Sequence, residues 1–265
     1  MSFIDRFFKL REENDVPKPF LEHLEDLRKM IIKMVITLVV AMIGCFFYRK
    51  ELLSIAQRPL KEVDPNLIGS LLTLGVAEPF MISIKLAFYA GIVVSFPLLL
   101  FFLAQFVVPA LTRNEKKYVF TAITVGFGLF LLGVLVCYFY LLPQTLHFFF
   151  NDAKTVGLNP SWTATQYFSF VTHFIIAFGL CFELPVVVLS LVSLKLISYP
   201  FMAATRPYAV VLLMVFAAII APTPDVITFL SFSAPLCLLY EACIWLAWLM
   251  ERRQKKQELE PTVEP

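Results

Sequence analysis

Residues 119–142 read VFTAITVGFGLFLLGVLVCYFYLL, a run of 24 residues without a charged side chain. An α-helix rises 1.5 Å per residue and the hydrocarbon core of a bilayer is about 30 Å thick, so this run is long enough to cross a membrane. The whole chain shares this character, since 59% of its 265 residues are hydrophobic and only 16% are charged. A soluble domain of this size does not bury so much apolar surface. We therefore predict an all-α, polytopic membrane protein.

Further apolar runs lie on both sides of this stretch, and together they predict six transmembrane helices, at residues 30–48, 80–108, 119–142, 167–192, 207–220 and 226–250. The fifth run has only 14 residues, which make about 21 Å of helix. The last two runs are either two spans across a locally thinned bilayer or a re-entrant hairpin, and we predict two spans.

The connections between the runs differ in length. Residues 51–77 form the longest one, and the Pro, Asn and Gly residues within it predict that it lacks regular structure. Residues 143–166 form a second long connection.

Lys and Arg residues lie mainly on one side of the predicted membrane domain. An even number of spans places both termini on the same side of the membrane. Sixteen Lys and Arg residues lie on that side, and five lie on the other side. The positive-inside rule therefore predicts that both termini are cytoplasmic. We divide the chain into a cytoplasmic amphipathic segment at 1–29, a transmembrane domain at 30–250 and a disordered cytoplasmic tail at 251–265. Charge throughout the first 29 residues predicts no cleavable signal peptide.

Glu183 is an acidic residue deep inside an apolar run, at position 17 of 26. A carboxyl group at this depth must be neutral, paired or in contact with a wet cavity. Pro185 follows it and lacks a backbone donor, which predicts a kinked helix beside the acid. We predict that Glu183 is functional.

Three more ionisable residues in or beside the runs are candidates with simpler explanations. Lys85 stands five residues inside its run, so its side chain can extend to the outer interface. Asp225 follows Thr223 and Pro224, a pattern that also begins helices. Glu241 stands near aromatic residues typical of a membrane interface.

Several classes of function lack their motifs. The five Cys residues have no CxxC pair or nearby His ligand, which favours apolar packing over a disulfide or zinc site. Phosphate-binding loops and nucleophile–base sets are absent from the sequence, and the net charge is only +2, so we predict no cofactor, no metal, no nucleic acid and no enzyme. A proton-coupled secondary transporter of a small solute, with Glu183 as proton carrier, is the alternative hypothesis, although the two halves of the chain show no self-similarity.

Short motifs follow one another along the chain. Before the first run the sequence reads HLEDLRKMI at 23–31, and the later motifs are RPL at 58–60, IKLAF at 84–88, FP at 96–97, PALTRNEKK at 109–117, FGLCFELPV at 178–186, RPY at 206–208, APTPD at 221–225 and LYE at 239–241. In order and spacing these motifs resemble the TatC family, the multispanning subunit of the twin-arginine protein translocase.

The resemblance implies a concave, glove-like bundle of six helices in the inner membrane of a bacterium. It implies that Asp26 and Glu115 bind the arginine pair of an export signal peptide, and that Glu183 contacts a partner or the signal inside the membrane. It further implies an oligomeric complex with single-span TatA-type and TatB-type partners that exports folded proteins with the proton-motive force.

Two departures from the family pattern concern the candidate site. The first acid is Asp26, where the family usually has Glu. The second run reads FPLLLFFLAQF where the family has FPxxxxQxWxF, so Phe102 and Ala104 replace Gln and Trp. Gln105 supplies an amide three residues later on nearly the same helix face. We therefore include Phe102 and Gln105 among the functional candidates.

Overall fold

The computed structural model describes residues 20–108, 119–158, 160–193, 196–220 and 226–259. Within these ranges the regular structure is helical, apart from one isolated bridge between Leu72 and Thr163. The prediction of an all-α protein is confirmed. The helices are α1 (Phe20–Phe47), α2 (Arg49–Val63), α3 (Glu78–Val107), α4 (Val119–Val136), α5 (Leu142–Thr155), α6 (Ala164–Cys181), α7 (Leu184–Ser193), α8 (Tyr199–Ala204), α9 (Arg206–Ile220) and α10 (Val226–Leu259).

Long apolar helices dominate the fold. Within the described ranges, five helical segments are long and apolar enough to cross a membrane, and they are His23–Phe47, Glu78–Val107, Val119–Thr155, Ala164–Ser193 and Phe229–Arg252. A shorter apolar helix covers Arg206–Ile219. These segments coincide with the six predicted runs, while the number of spans and the side of the termini stay predictions. We call the end of the bundle where α1 begins and α3 ends the basal end, and the opposite end the cap end.

The connection at 51–77 differs from its prediction, because it contains α2 and a 3₁₀ helix at Pro65–Ser70. Pro59 lies inside α2, where it supplies no backbone donor for the Ile55 carbonyl four residues earlier. Tyr138 donates its hydroxyl to that carbonyl at 2.8 Å, and Tyr167 donates to the Ala56 carbonyl at 2.7 Å. Hydroxyl groups distant in sequence therefore stabilise a helix that local signals argue against.

Residues 143–155, in the second long connection, are helical. The π-helical segment Cys137–Leu141 joins α4 to α5 without a break, so the helix runs for 37 residues from Val119 to Thr155. At 1.5 Å per residue this is about 55 Å, well beyond the thickness of the hydrocarbon core. Part of this helix therefore extends past the membrane at the cap end.

The kink predicted at Pro185 is present. Helix α6 ends at Cys181 and α7 begins at Leu184, with Phe182 and Glu183 in the turn between them. At the other end of the chain, α10 continues to Leu259. Residues 260–265 lie outside the described part.

Aromatic rings fill the interior between α3, α4, α6 and α10. Phe96 stacks on Phe130 at 3.6 Å between ring centroids, and Phe232 lies 4.1 Å from Phe174 and 5.0 Å from Phe178. Gly179 permits the approach of α4, because a Cβ atom there would lie 2.6 Å from the Phe130 ring. All five cysteines are free thiols, and Cys137, Cys181 and Cys243 are buried in the apolar interior, as the packing interpretation predicts.

Glu78 fixes α3 and α6 to each other at the cap end. Its carboxylate accepts hydrogen bonds from the backbone N–H of Leu74 at 2.6 Å and of Gly75 at 3.0 Å. The same carboxylate accepts the backbone N–H of Thr165 at 3.1 Å and the hydroxyl of Thr165. Because both helices begin at this point, they run in parallel from the cap end to the basal end.

Candidate functional site

A groove opens at the basal end between α1 and α3, with a cavity of about 230 Å³. Four lining residues, Asp26, Lys29, Met30 and Lys33, stand on α1 at intervals of three or four residues, and therefore share one helix face. Helix α3 contributes Phe102, Gln105 and Phe106 with the same periodicity. We call this cavity the basal groove.

The basal groove combines one carboxylate, two ammonium groups, one amide and two aromatic rings. His23 stacks on Phe106 at 4.6 Å between ring centroids, which fixes the first turns of α1 against the end of α3. Glu25 forms an ion pair with Lys29 at 2.9 Å, with both side chains more than half exposed. Such an exposed pair contributes little to stability because solvent screens it. The ion pair holds Lys29, one of the two lysines that line the groove, against Glu25, which does not line it.

The structure brings three of the predicted residues together here. Asp26, Phe102 and Gln105 all line the basal groove, and Gln105 lies on the face of α3 that the sequence predicts. Glu115 lies outside the described residues, in the connection between α3 and α4. Sequence analysis did not identify Phe106 or Lys33 as lining residues, although their spacing from Phe102 and Lys29 indicates the same helix faces.

Glu183 lies inside the bundle, with 8% of its surface exposed. Its carboxyl group packs against α4, where a Cβ atom on Gly126 would lie 3.0 Å from Oε2 and 3.5 Å from Oε1. Among the residues that the structure describes, Oε1 has no hydrogen-bond partner. Burying a carboxyl group without partners is costly. The stability of the fold therefore does not explain why residue 183 is acidic.

Lys85 extends from α3 to α6, where its Nζ donates to Ser169 Oγ at 3.4 Å. One turn further along the same two helices, Tyr89 Oη and His173 Nε2 are 2.9 Å apart, and His173 Nδ1 lies 2.7 Å from the Ser169 carbonyl oxygen. A carbonyl oxygen only accepts, so Nδ1 donates to Ser169, and Nε2 forms the second hydrogen bond of the ring with the Tyr89 hydroxyl. Local sequence gives no sign of this pair, because Tyr89 stands 84 residues before His173.

The remaining candidates fall elsewhere. Glu241 on α10 forms an ion pair with Arg206 at the start of α9, at 3.1 Å, with side chains 36% and 47% exposed respectively. Asp225 lies outside the described residues. The described residues contain no cluster of three or more His, Cys, Asp or Glu that would hold a metal ion.

A family model described as Sec-independent protein translocase protein (TatC) matches residues 22–235. The chain belongs to the TatC family. A TatC protein of Carboxydothermus hydrogenoformans is 35% identical over 240 residues, which are 91% of this chain and 97% of that protein. A TatC protein of Akkermansia muciniphila is 50% identical over 177 residues, 67% of this chain but only 51% of that protein.

A solved TatC structure has the same fold. The crystal structure of a protein described as twin arginine translocase receptor TatC superposes with a TM-score of 0.76 and is 33% identical, covering 86% of this chain and 98% of the other. The chain is thus a multi-pass membrane protein of a protein translocase family with bacterial members. The family is named for protein translocation and not for a catalysed reaction.

Proposed function

We propose that this TatC-family chain is the core subunit of a twin-arginine translocase and that its basal groove binds the arginine pair of a signal peptide. One observation carries the proposal: Asp26 lines the groove together with the aromatic rings of Phe102 and Phe106. A guanidinium group presents a planar fork that fits a carboxylate with two hydrogen bonds, and its flat face stacks on aromatic rings. The groove offers both kinds of contact on two adjacent helices.

The lysines of the basal groove set the selectivity of this contact. Lys33 and, more weakly because of its ion pair with Glu25, Lys29 repel a cation that approaches the cavity without a specific contact. An arginine side chain compensates this repulsion because its guanidinium group forms two parallel hydrogen bonds with the Asp26 carboxylate. A lysine ammonium group is a point charge and does not match the two carboxylate oxygens in this way. One carboxylate takes one guanidinium, so we assign the second arginine to Glu115.

The surrounding topology belongs to the same proposal. The excess of Lys and Arg beside the basal end supports cytoplasmic termini, with the groove facing the cytoplasm of a bacterium and the chain in the inner membrane. Glu183 contacts a membrane helix of a TatA-type or TatB-type partner or of the inserted signal. Export of folded proteins is driven by the proton-motive force. Family membership does not favour the alternative, a proton-coupled transporter of a small solute.

Crosslinking of a signal peptide to the purified, detergent-solubilised chain tests the proposal. We expect the twin-arginine peptide to crosslink at Phe106 and a twin-lysine peptide to crosslink at least about ten-fold less, a difference of roughly 1.4 kcal/mol. Asp26→Lys and Glu115→Lys weaken crosslinking, Asp26→Glu retains it, and added salt reduces it because the ion pairs are near the surface.

Glu51→Lys is the matched control, because it makes the same charge change on an exposed residue of α2 at the cap end. This variant retains wild-type crosslinking. Equal crosslinking of the two peptides, or unchanged crosslinking in both the Asp26→Lys and Glu115→Lys chains, would refute the proposal.

A further inference from the structure

The connection that leads into α3 carries an exposed apolar surface at the cap end. Residues 65–77 contain no charged side chain, and the last seven of them, 71–77, contain no helix. Leu74 is 79% exposed and Val76 is fully exposed. Large apolar side chains that cluster in one exposed segment are typical of a surface that contacts another apolar phase or molecule. We call residues 71–77 the cap loop.

Hydrogen bonds hold the backbone of the cap loop in place. The N–H of Leu72 donates to the Trp162 carbonyl at 3.0 Å, and the Leu72 carbonyl accepts the N–H of Ala164 at 2.8 Å. Glu78, the first residue of α3, accepts two further backbone N–H groups of the loop. A backbone that approaches hydrocarbon needs its polar groups bonded within the protein. The cap loop meets this requirement at these groups, while its apolar side chains stay exposed.

The cap loop lies at the level of the membrane interface. Helix α1 is followed by the exposed Tyr48 and by Arg49, whose guanidinium group is 5.3 Å from the centroid of the Phe46 ring. Tyrosine and arginine at the end of a span are typical of the interface. The Phe46 ring contacts Phe80 on α3 at 6.1 Å, and Val76 precedes Phe80 by about one helical turn, or 5 Å. The headgroup region is about 5–7 Å thick on each side of the core, so the cap loop falls within it.

A second exposed apolar site at the cap end lies further from the membrane. Gly133 on α4 lies against Phe178 on α6. From this level, α5 extends about 33 Å to Thr155, whereas α6 begins about 21 Å away at Ala164. The exposed Leu158 follows the end of α5, about 12 Å beyond the start of α6. Depth therefore distinguishes the cap loop from the rest of the exposed apolar surface at this end.

We propose that the cap loop is an interfacial lipid anchor, with Leu74 and Val76 inserted between the headgroups and upper acyl chains of the leaflet at the cap end. Lipid is the occupant because of this depth and because the loop continues the lipid-facing surface of α3, where Phe80 and Met81 are also exposed. Since Glu78 bonds the loop to α3, the anchor fixes the depth at which α3 enters the membrane. The basal groove is at the opposite end, so the proposal does not rest on signal binding there.

Spin labels at single cysteines test the proposal. The full-length chain without its native cysteines is reconstituted in phosphatidylcholine and labelled in the variants Leu74→Cys and Val76→Cys. Oxygen concentrates in hydrocarbon and a nickel chelate stays in water, so the ratio of their collision rates with the label reports its depth. Met81→Cys is the lipid-facing reference and Leu158→Cys is the matched control, because both residues are exposed and apolar.

We expect the ratio of oxygen to nickel collisions at Leu74→Cys and Val76→Cys to be at least about five-fold higher than at Leu158→Cys, because the headgroup region separates the two reagents over about 5–7 Å. The ratio approaches that of Met81→Cys. Adding Leu74→Asp draws the loop towards water and lowers the ratio at Met81→Cys about two-fold, since a charged side chain is costly near hydrocarbon. Adding Leu158→Asp leaves that ratio unchanged.

Three results would overturn the proposal. A ratio at the cap loop equal to that of Leu158→Cys would place the loop in water. Low collision rates with both reagents would show that protein, such as a second copy of the chain, covers the loop. An unchanged ratio at Met81→Cys in the Leu74→Asp chain would show that the loop does not fix the depth of α3. If the Leu74→Asp chain does not fold, the labels in the cap loop decide alone.

Discussion

Glu183 is a buried acid whose carboxyl group is incompletely hydrogen-bonded within the described residues. Its Oε1 atom has no hydrogen-bond partner among the described residues, and its carboxyl group packs against Gly126. We expect Glu183→Ala to insert and fold as the unmodified chain does, because it removes a desolvated group. Export of a reporter protein with a twin-arginine signal, or assembly with partner subunits, falls about ten-fold, as expected for a loss of roughly 1.4 kcal/mol of binding.

Two glycines of α4 provide a test that keeps the acid in place. Gly126→Ala puts a Cβ atom 3.0 Å from Glu183 Oε2 and displaces the carboxyl group, whereas a Cβ at Gly128 meets nothing within 4 Å. Both changes raise helix propensity equally. We expect only Gly126→Ala to share the defect in export or assembly. Wild-type export and assembly in both Glu183→Ala and Gly126→Ala would show that the acid has no role.

At the scale of the elements, one hydrogen bond from a distant residue compensates the proline inside α2. Pro59 leaves the Ile55 carbonyl of α2 without its helical donor, and Tyr138, in the π-helical segment Cys137–Leu141, donates to it. The π-helical segment lies directly before Pro143, which also lacks a backbone donor. The hydrogen bond from Tyr138 to Ile55 thus joins α2 to the π-helical segment that follows α4, and it supplies the donor that Pro59 lacks.

Loss of that hydroxyl should destabilise the cap end. Tyr138→Phe removes the donor to the Ile55 carbonyl, and we expect the free energy of unfolding to fall by about 0.5–1.5 kcal/mol. Thermal unfolding in detergent measures the effect. Tyr140→Phe is the control, since Tyr140 is an exposed residue of the same π-helical segment. Equal unfolding midpoints for the two variants would contradict the role given to this bond.

Helix α9 sets the topology at the scale of the whole molecule. It has 15 residues, which make about 22 Å of helix and fall short of a 30 Å core. We predict that it nevertheless crosses a thinned bilayer, so that the connection between α9 and α10 is on the side opposite the termini.

Cysteine labelling with a reagent that does not cross membranes checks the position of that connection. In a chain without its native cysteines, we expect a cysteine at residue 222 to react from outside the cell, as Glu51→Cys does on α2. Arg28→Cys, an exposed position of α1, reacts only after the membrane is permeabilised. If residue 222 behaves like Arg28→Cys, α9 and α10 form a re-entrant hairpin.

The sequence predicted those parts of the molecule whose structure follows from burial in the membrane or from the geometry of neighbouring residues. Long apolar runs must be helical in hydrocarbon, where backbone groups have no water to bind, and Pro185 produced its kink locally. Helix α2 was missed because its proline is compensated by Tyr138, which stands 83 residues away from Ile55. The Tyr89–His173 pair was missed for the same reason. In the basal groove, family resemblance indicated Asp26 and helix periodicity indicated Gln105, but the convergence of Asp26 with Phe102 and Gln105 was not predicted, because it depends on the packing of α1 against α3.

The described lining of the basal groove comes from α1 and α3 alone, and this has a consequence for biosynthesis. These helices pack directly on each other, with Gly91 so close to α1 that a Cβ atom there would lie 3.0 Å from the Met42 backbone. They form one helical hairpin at the start of the chain, and domains assemble in order of synthesis. We expect the groove walls to meet as soon as Val107 has been translated and inserted. The later helices would then assemble onto a hairpin that already carries these walls.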